Sequence, residues 1–339
     1  MSLVKRGNEQ IIERYRPRRF SEVIGCDAIK KSLTKWMEQG ESRSKNVILY
    51  GVSGGGKSTI SRILAMGLNC ERNGDTVEPC LECDSCKAAL SGKALHIHDL
   101  NIGSVGTKEE IDNIVNQMYE TPLTGRNNVW LLDEAHMLTT SAQNLLLKPL
   151  ENPPLNNYVI FCTTNPEKLI KTLQNRCEKY EFKNPKKTEI SNMLKDVVEQ
   201  EHIDMTQEQK VAFFDYVQGM SYREILTALN QFSNGGIESL SEIGSEKAIN
   251  YWELCRTVES GDFDKCMSII NGNDNLDCEA FRRMMRVYLT QKLEKTGFNK
   301  KSLDYAEVFK IFDKGFFIDP NPIPTVKFMI FEACVIFRG

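Results

Sequence analysis

The chain has 339 residues, of which 41% are hydrophobic and 26% are charged, and its net charge is -3. This size fits two or three domains of an ordinary globular protein, and a nearly neutral chain is not a uniformly basic nucleic-acid binder. Because no apolar run reaches the roughly 18 residues of a membrane helix, we expect no membrane contact and a cytoplasmic location, in a bacterium or in the host of a phage.

The first half of the chain alternates apolar runs with helical patterns. Residues 1–45 are predicted to be helical and polar, with a break at Tyr15-Arg16-Pro17. Strands are predicted at Val47–Tyr50, Ala94–Leu100, Asn128–Leu132, Asn157–Thr163 and Cys177–Phe182. Helices are predicted at Ser58–Leu68, Lys108–Tyr119, Ser141–Glu151 and Pro166–Thr172. This alternation predicts an α/β fold with a parallel sheet covered on both faces.

The second half reads differently, because helical patterns follow one another without a strand between them. They cover Thr188–Glu201, Gln207–Val217, Tyr222–Phe232 and most of 245–339, with turn signals at Asn271–Asp274 and Asp319–Pro324. We therefore predict three domains: an α/β domain at 1–184, a small helical domain at 185–240 and a second helical domain at 241–339.

A glycine-rich segment follows the first predicted strand and matches the phosphate-loop pattern G-x-x-x-x-G-K-[ST]. Backbone N–H groups of such a loop, and the start of the next helix, converge on phosphates. We expect Lys57 to reach the β- and γ-phosphates of ATP and Ser58 to ligate Mg²⁺. A glycine-rich turn without a ligand has no use for this Lys-Ser pair. The predicted nucleotide-binding residues of this segment are Gly51, Val52, Ser53, Gly54, Gly55, Gly56, Lys57, Ser58 and Thr59.

Two carboxylates, Asp133 and Glu134, follow the apolar run Val129–Leu132. The carboxyl end of such a strand faces the ligand crevice of an α/β sheet, so we expect Asp133 to hold Mg²⁺ and Glu134 to polarise the attacking water. A solvated strand end is the alternative, and the phosphate loop favours the catalytic interpretation. The letters from Asp133 to His136 also occur in superfamily-two helicases, but those need a second RecA-like sheet, which residues 185–339 do not predict.

Four of the eleven cysteines are clustered, at Cys70, Cys80, Cys83 and Cys86. Two overlapping C-x-x-C steps and one earlier cysteine suit a tetrahedral Zn²⁺ site, and four thiolates leave no open position, so the metal would be structural. Four unrelated thiols or a redox C-x-x-C are the alternatives, and the spacing favours metal. Because no secretory signal is visible, the cysteines also indicate a reducing compartment. His96 and His98 are interpreted as residues of a strand.

The residues alone leave the roles of two arginines undecided. Arg176 lies just before the last strand, and it is either a surface residue or an arginine finger for the γ-phosphate of a neighbouring subunit. Arg223 lies at the start of a helix, where it either folds back onto the phosphates or pairs with an acidic residue nearby.

Several blocks of residues together resemble the clamp-loader ATPases of the AAA+ class, both the bacterial DNA polymerase III tau/gamma type and the type of phage replisomes. The blocks are Tyr15–Pro17 with Val23–Gly25, Gly51–Ser58, Leu68–Cys70 with the three later cysteines, Leu132–Leu138, Asn144–Lys148, Glu151–Pro154, Thr163-Thr164, Asn175–Cys177 and Arg223. The cysteine insertion is the most specific block. The resemblance implies an AAA+ P-loop NTPase domain at 1–184 with a zinc insertion at 70–86, a helical lid at 185–240 and an α-helical collar at 241–339.

The resemblance also assigns roles to residues. It implies that Val23 and Ile24 line the adenine pocket, that Thr164 is a sensor orienting the attacking water, and that Arg223 is a second sensor on the phosphates. It implies that Arg176 acts in trans on ATP held by the adjacent subunit, hence a pentamer and a weak ATPase activity for the isolated subunit. The usual serine before that arginine is Asn175 here, which we expect to leave the position of the arginine intact.

The implied function is the ATP-dependent loading of a ring-shaped sliding clamp onto primer-template DNA during replication, with ATP, Mg²⁺ and structural Zn²⁺ as cofactors. The implied partners are other clamp-loader subunits in a homo- or hetero-pentamer, the clamp, and DNA held by its backbone without sequence specificity. Ser104 to Lys108 is the candidate DNA contact, although Glu109-Glu110 would repel phosphate. One alternative is an AAA+ helicase or branch-migration motor. The other is a non-hydrolytic structural subunit of the same assembly, and the presence of Lys57, Asp133 and Glu134 argues against it. The end of the chain at Gly339 favours a gamma-like or phage-like loader.

Overall fold

A computed structural model of the chain describes residues 10–105, 107–120, 124–235, 251–271, 276–296, 299–313 and 322–338. The chain forms two compact units, Met1–Asp196 with Ser221–Arg223, and Val197–Met220 with Glu224–Gly339. The predicted three-domain division stays a prediction. Within the described ranges, no helix has the length and apolarity that crossing a membrane requires.

The first unit is built on one five-stranded sheet. Its strands are β1 Asn46–Gly51, β2 Ile97–Asn101, β3 Asn128–Asp133, β4 Asn157–Thr163 and β5 Glu178–Phe182. They lie in the order β2-β3-β4-β1-β5, and each neighbouring pair is parallel. All carboxyl ends therefore share one edge of the sheet, which confirms the predicted parallel architecture. The order brings the end of β4 between the ends of β1 and β3.

Both faces of the sheet are covered, as the apolar runs of its central strands predict. In β1, Val47 and Leu49 belong to one core cluster, whereas Ile48 between them belongs to the other. The first cluster also contains Leu64, and the second contains Leu146. Successive side chains of a strand point to opposite faces, so one strand supports two helical layers.

The helices of the first unit are α1 Ile11–Arg14, α2 Asp27–Glu38, α3 Lys57–Leu68, α4 Asp84–Leu90, α5 Lys108–Met118, α6 Thr140–Glu151, α7 Lys171–Gln174 and the beginning of α8 Lys187–Gln200. Short 3-10 helices cover Phe20–Glu22, Gly40–Ser42, Ala135–Met137 and Pro166–Lys168. The predicted single helix at Pro166–Thr172 is therefore wrong, and the helix α4, which begins directly after Cys83 and contains Cys86, was not predicted. The predicted start of the second strand at Ala94 is three residues too early.

The second unit is helical throughout its described part, as predicted. Its helices are α9 Gln207–Tyr216, α10 Tyr222–Gly235, α11 Tyr251–Glu259, α12 Phe263–Asn271, α13 Cys278–Thr296, α14 Lys300–Ile311 and α15 Ile323–Arg338. The first two residues of α10 belong to the first unit. A largely buried carboxylate, Glu259, joins three of these helices. It accepts the hydroxyl hydrogens of Tyr288 and Tyr305 and pairs with Lys292 at 2.8 Å. Most of the two predicted turns lies outside the described residues.

Candidate nucleotide site and metal centre

The predicted phosphate loop lies between β1 and α3, at the carboxyl edge of the sheet. Ser58 Oγ donates a hydrogen bond to Asp133 Oδ2 at 2.6 Å, so the two predicted Mg²⁺ ligands meet although they come from separate motifs. A hydroxyl and a carboxylate oxygen are donor groups that suit Mg²⁺. Lys57 Nζ donates to the backbone carbonyls of Gly51 at 2.9 Å and of Val52 at 2.7 Å. The pKa of Lys57 is lowered, because the effect of burial exceeds the opposing effect of the nearby Asp133.

The start of α3 is open to a ligand. Among the described residues, no side chain caps this helix, so its first backbone N–H groups can bind an anion. Gly54 has a φ of +68°, and a Cβ atom at this position would overlap Ser221 Oγ. The loop therefore needs glycine here for both its conformation and its close approach to Ser221.

Glu134 follows β3 in the left-handed region, with a φ of 54°. A non-glycine residue in this region stores backbone strain, which is frequent at functional sites. The carboxylate is about half exposed and lies 3.4 Å from His136 Nε2, and the other ring nitrogen of His136 lies 3.3 Å from Thr163 Oγ1. His136 thus links Glu134 to the end of β4. His136 was not predicted as a functional residue, although its spacing of two from Glu134 was the available signal.

Thr164, the predicted sensor, directly follows β4, and β4 neighbours β3 in the sheet. Its hydroxyl donates to Asn165 Oδ1 at 2.8 Å. The preceding residue, Thr163, makes the contact with His136 instead. The edge of the sheet therefore offers two neighbouring hydroxyl groups near the Asp133-Glu134 pair, and the sensor role of Thr164 stays a prediction.

The four clustered cysteines converge. Their Sγ atoms all lie within 4.8 Å of one another, and the Sγ atoms of Cys80 and Cys86 are 4.0 Å apart. A tetrahedral Zn²⁺ with Zn–S distances of about 2.3 Å needs S–S distances of about 3.8 Å. None of the eleven cysteines forms a disulfide. The arrangement is compatible with a structural zinc ion and excludes four scattered thiols.

Backbone N–H groups point at the cysteine sulfurs. Cys80 Sγ accepts from the N–H groups of Glu82 at 3.4 Å and of Cys83 at 3.3 Å. Burial raises the pKa of Cys80, but these two donors, together with hydrogen bonds to the side chains of Cys83 and Cys70, outweigh it and lower the pKa to about 6. In contrast, burial raises the pKa of Cys162 and of Cys177 to about 12. Cys80 therefore favours the thiolate, the form that binds metal, whereas burial raises the pKa of Cys86 in the same cluster, and Cys162 and Cys177 are neutral thiols.

Comparison with known proteins agrees with this geometry. A family model described as DNA polymerase III, delta subunit, matches residues 26–186. The DNA polymerase III subunit gamma of Buchnera aphidicola subsp. Schizaphis graminum is 35% identical over 271 residues, which are 78% of this chain and 74% of that protein. The chain belongs to the family of DNA polymerase III gamma/tau subunits. The predicted resemblance to this type of clamp-loader ATPase is thereby confirmed.

Other members of the gamma/tau family are longer. The gamma/tau subunit of Mycoplasma genitalium is 31% identical over 266 residues, which cover 76% of this chain and 44% of that protein. The tau subunit of Escherichia coli K12 is 33% identical over 194 residues, which cover 57% of this chain and 30% of that protein. The chain thus spans less than half the length of these two relatives.

A solved structure confirms the AAA+ fold class. The RuvB Holliday junction branch migration motor of Thermotoga maritima matches with a TM-score of 0.50 and 15% identity, over 84% of this chain and 92% of that one. At this identity the likeness shows the fold alone.

Arg176 lies at the opposite edge of the sheet from the phosphate loop. Its guanidinium donates to the carbonyl of Thr172 at 2.8 Å and lies 3.3 Å from the Glu151 carboxylate. Its own carbonyl accepts from Asn46 Nδ2 at 3.1 Å, and Asn46 is the first residue of β1. The phosphate loop follows the last residue of β1, roughly 16 Å further along the strand. Arg176 therefore lies too far away to reach the phosphate loop of its own chain.

Arg223, in contrast, lies beside the loop. A Cβ atom on Gly54 would lie 3.0 Å from the Cβ of Arg223, and Arg223 acts electrostatically on Lys57. Of the two residues predicted to line the adenine pocket, Val23 is buried in the core cluster that contains Phe182, and Phe182 accepts a hydrogen bond from Val52 N at 3.2 Å. Ile24 is half-buried. Their contact with a base stays a prediction.

In the predicted DNA-contact segment, Ser104 to Lys108, polar side chains already form hydrogen bonds within the protein. Thr107 caps α5 in a capping box with Glu110, and Ser104 Oγ donates to the carbonyl of Asn101 at 2.9 Å. Gly106 lies outside the described residues. DNA would have to compete with these contacts, so this contact stays a prediction.

Proposed function

We propose that this chain is an ATP-hydrolysing subunit of a clamp loader, and that it loads a ring-shaped sliding clamp onto primer-template DNA during replication. Membership of the gamma/tau family supports the replication role. The main support for ATPase activity is the 2.6 Å hydrogen bond between Ser58 and Asp133, because it joins the phosphate loop to the carboxylate pair at one edge of the sheet.

The side chains divide the chemistry between them. Lys57 leaves the carbonyls of Gly51 and Val52 and neutralises charge on the β- and γ-phosphates. Ser58 and Asp133 hold Mg²⁺, which supplies further neutralisation of the triphosphate. Glu134, oriented by His136, accepts a proton from the attacking water, and Thr164 helps to position that water. Arg223 contacts the phosphates from the start of α10. Val23 and Ile24 hold the adenine.

Arg176 completes the site of an adjoining subunit. Its distance from the phosphate loop of its own chain supports this role, because an arginine finger has to lie close to the γ-phosphate. A subunit with its donor arginine and its ATP site at different edges forms head-to-tail contacts. We therefore infer a ring or open spiral, a homo- or hetero-pentamer, in which the isolated subunit is a slow ATPase.

The helical second unit supports assembly. Three apolar residues of α15, Phe328, Phe331 and Val335, are 48–60% exposed, and their spacing of three and four places them on one side of the helix. We infer that this exposed stripe contacts other subunits, as the collar of the resemblance implies. The cytoplasm, where replication proteins act on DNA, is the proposed location.

The test is ATP turnover by the purified chain, with and without primed DNA and a candidate sliding clamp. We expect stimulation only when DNA and clamp are both present, and we expect Glu134→Gln to bind ATP normally while turnover falls by at least about a hundredfold. A fast, DNA-independent ATPase activity of the dilute monomer would contradict the proposal. Unwinding of duplex DNA would instead favour a helicase or a branch-migration motor.

A further inference from the structure

A short arm, residues Arg18–Cys26, runs from the cysteine cluster to Tyr222, whose neighbour in the chain, Ser221, contacts the phosphate loop. At one end, Arg19 forms hydrogen bonds with the loop that contains the cysteines. Its Nε donates to the carbonyl of Pro79 at 2.9 Å and its Nη2 to the carbonyl of Cys80 at 2.8 Å. The guanidinium therefore bonds the backbone of a cysteine in the candidate metal site.

Two more residues of the arm bond the same loop. Ser21 donates its N–H and its hydroxyl to the two carboxylate oxygens of Glu78, each at 2.7 Å. Phe20 N donates to the carbonyl of Val77 at 3.2 Å. Each of the four residues 77–80 thus holds the arm, and these residues lead directly into the cysteine cluster. Of these four, Pro79 and Cys80, which Arg19 bonds, lie closest to the metal ligands.

The other end of the arm contacts the segment that also packs against the phosphate loop. A Cβ atom on Gly25 would overlap the hydroxyl of Tyr222, and one on Gly54 would overlap Ser221. Gly25 of the arm and Gly54 of the phosphate loop therefore contact consecutive residues of one segment. Tyr222 also donates to Glu189 at 3.3 Å, so this end of the arm packs against a bonded pair of side chains.

The loop before residue 77 has anchors that need no metal. Asp75 pairs with Arg43 and, at 3.1 Å, with Arg126. Val77 also packs against the core cluster. Loss of metal would leave Asp75 and Val77 attached but would release Pro79 and Cys80, which bond Arg19, because metal ligation supplies folding free energy to the residues around it.

We propose that metal in the four-cysteine site fixes the arm and thereby raises the affinity of the chain for ATP, with Arg19 as the positioning residue that connects the two. This inference rests on the proposed function, namely that the phosphate loop binds ATP. It predicts an effect on the base side of the nucleotide, because the arm carries Val23 and Ile24 and makes none of the described bonds of Lys57 or Ser58.

The test measures binding of ATP and of inorganic tripolyphosphate to the full chain by calorimetry, with the zinc content determined in each sample. We expect removal of zinc by a chelator to weaken ATP binding about tenfold, within the usual range of coupling between two sites, and to leave tripolyphosphate binding unchanged. Arg19→Ala should retain its zinc, bind ATP about tenfold more weakly than wild type, and lose no further ATP affinity on chelation.

The matched control is Arg72→Ala. Arg72 pairs with Glu82 inside the same loop and makes no described bond to the arm, so this variant should respond to chelation as wild type does. If chelation unfolds the chain, the zinc-loaded Arg19→Ala protein decides, and a wild-type ATP affinity for it would overturn the inference. An equal loss on chelation in wild type and Arg19→Ala would also overturn it. If zinc-loaded wild type binds no ATP, the proposed function itself is wrong.

Discussion

Glu134 is held in place from two sides. Its left-handed backbone turns the chain directly after β3, and His136 holds its carboxylate while also contacting Thr163 of β4. A general base has to be oriented as well as ionised. In the proposed mechanism, His136 therefore acts on the reaction through Glu134, the carboxylate that it contacts.

We predict that His136→Ala lowers kcat by roughly tenfold, the scale of losing an orienting partner, and leaves KM for ATP unchanged. Steady-state ATP turnover of the assembled subunits measures both. Glu134→Gln gives the lower limit of activity in the same assay. A His136→Ala enzyme with wild-type kcat would show that the contact does not orient the base.

Arg176→Ala should abolish turnover in the assembly but leave ATP affinity nearly intact, because in the proposed assembly the arginine belongs to the neighbouring site. The decisive measurement mixes it with Glu134→Gln subunits before assembly. Each variant alone is inactive, whereas in an equal mixture about a quarter of the interfaces combine an intact Glu134 with an intact donor arginine. If the mixture recovers no activity, Arg176 acts within its own chain.

At the scale of elements, the central strands and the edge strand β5 were predicted to within one residue, whereas the start of the other edge strand, β2, was not. The buried runs of β1, β3 and β4 contain continuous apolar sequence, which predicts a covered parallel strand. Around β2, the polar contacts decide: His96 bonds Ser85 at 3.0 Å and Thr124 at 3.1 Å, so the chain turns there and the strand begins at Ile97.

The predicted helix at Pro166–Thr172 failed for a similar reason. Gln143 on α6 donates to the carbonyl of Lys168 at 3.1 Å and accepts from Ile170 N at 2.7 Å. These bonds satisfy the backbone between the 3-10 turn and α7, so a continuous helix is not needed. A contact between residues this far apart in sequence leaves no local signal.

The packing of α3 against the cysteine loop gives a test of stability. A Cβ atom on Gly67 would overlap the carbonyl oxygen of Thr76, which is backbone and cannot move as a side chain can. We predict that Gly67→Ala destabilises the first unit by about 2 kcal/mol, as overpacking does. Urea unfolding measures this. Gly103→Ala, whose methyl group would meet only Asn101 Oδ1 at 3.1 Å, should change stability far less.

Two histidines at the start of β2, the buried His96 and the half-buried His98, predict a pH dependence. Burial lowers the pKa of His96, although Glu71 raises it, and burial also lowers the pKa of His98, which stacks on Trp130 at 3.7 Å. Below the unfolded pKa of about 6.5 the unfolded chain binds more protons, so stability falls as pH decreases. The melting temperature of zinc-loaded wild type should therefore drop more between pH 7.5 and about pH 5.5 than that of His98→Gln. Equal drops would contradict this.

At the scale of the whole molecule, the sequence was sufficient to predict the phosphate loop, the Asp133-Glu134 pair and the cysteine cluster, because each has a fixed local spacing. It was not sufficient to predict where Arg176 lies relative to the phosphate loop. Whether that arginine lies near its own phosphate loop depends on the parallel pairing of β5 with β1, and strand order is a long-range property. The arm that joins the cysteines to the nucleotide site also has no local pattern.

The exposed stripe of α15 predicts how assembly responds to substitution. Phe328→Ser and Val335→Ser together should raise the dissociation constant of the oligomer at least tenfold, because each exposed apolar side chain buried at an interface contributes roughly 1.5–3 kcal/mol. Sedimentation at several concentrations measures this. Leu155→Ser, at an 87% exposed position of the first unit, is the control. If the double variant assembles like wild type, subunits associate elsewhere.

The separation of Arg176 from its own phosphate loop has a consequence for counting. Copies that join head to tail in an open arc leave one terminal nucleotide without a donor arginine and one terminal arginine without a nucleotide. Such an arc turns over one fewer ATP than it holds, unless its two ends meet or a different protein supplies the missing guanidinium. The ratio of nucleotide bound to nucleotide cleaved in a single round would therefore reveal whether the working particle is gapped or closed.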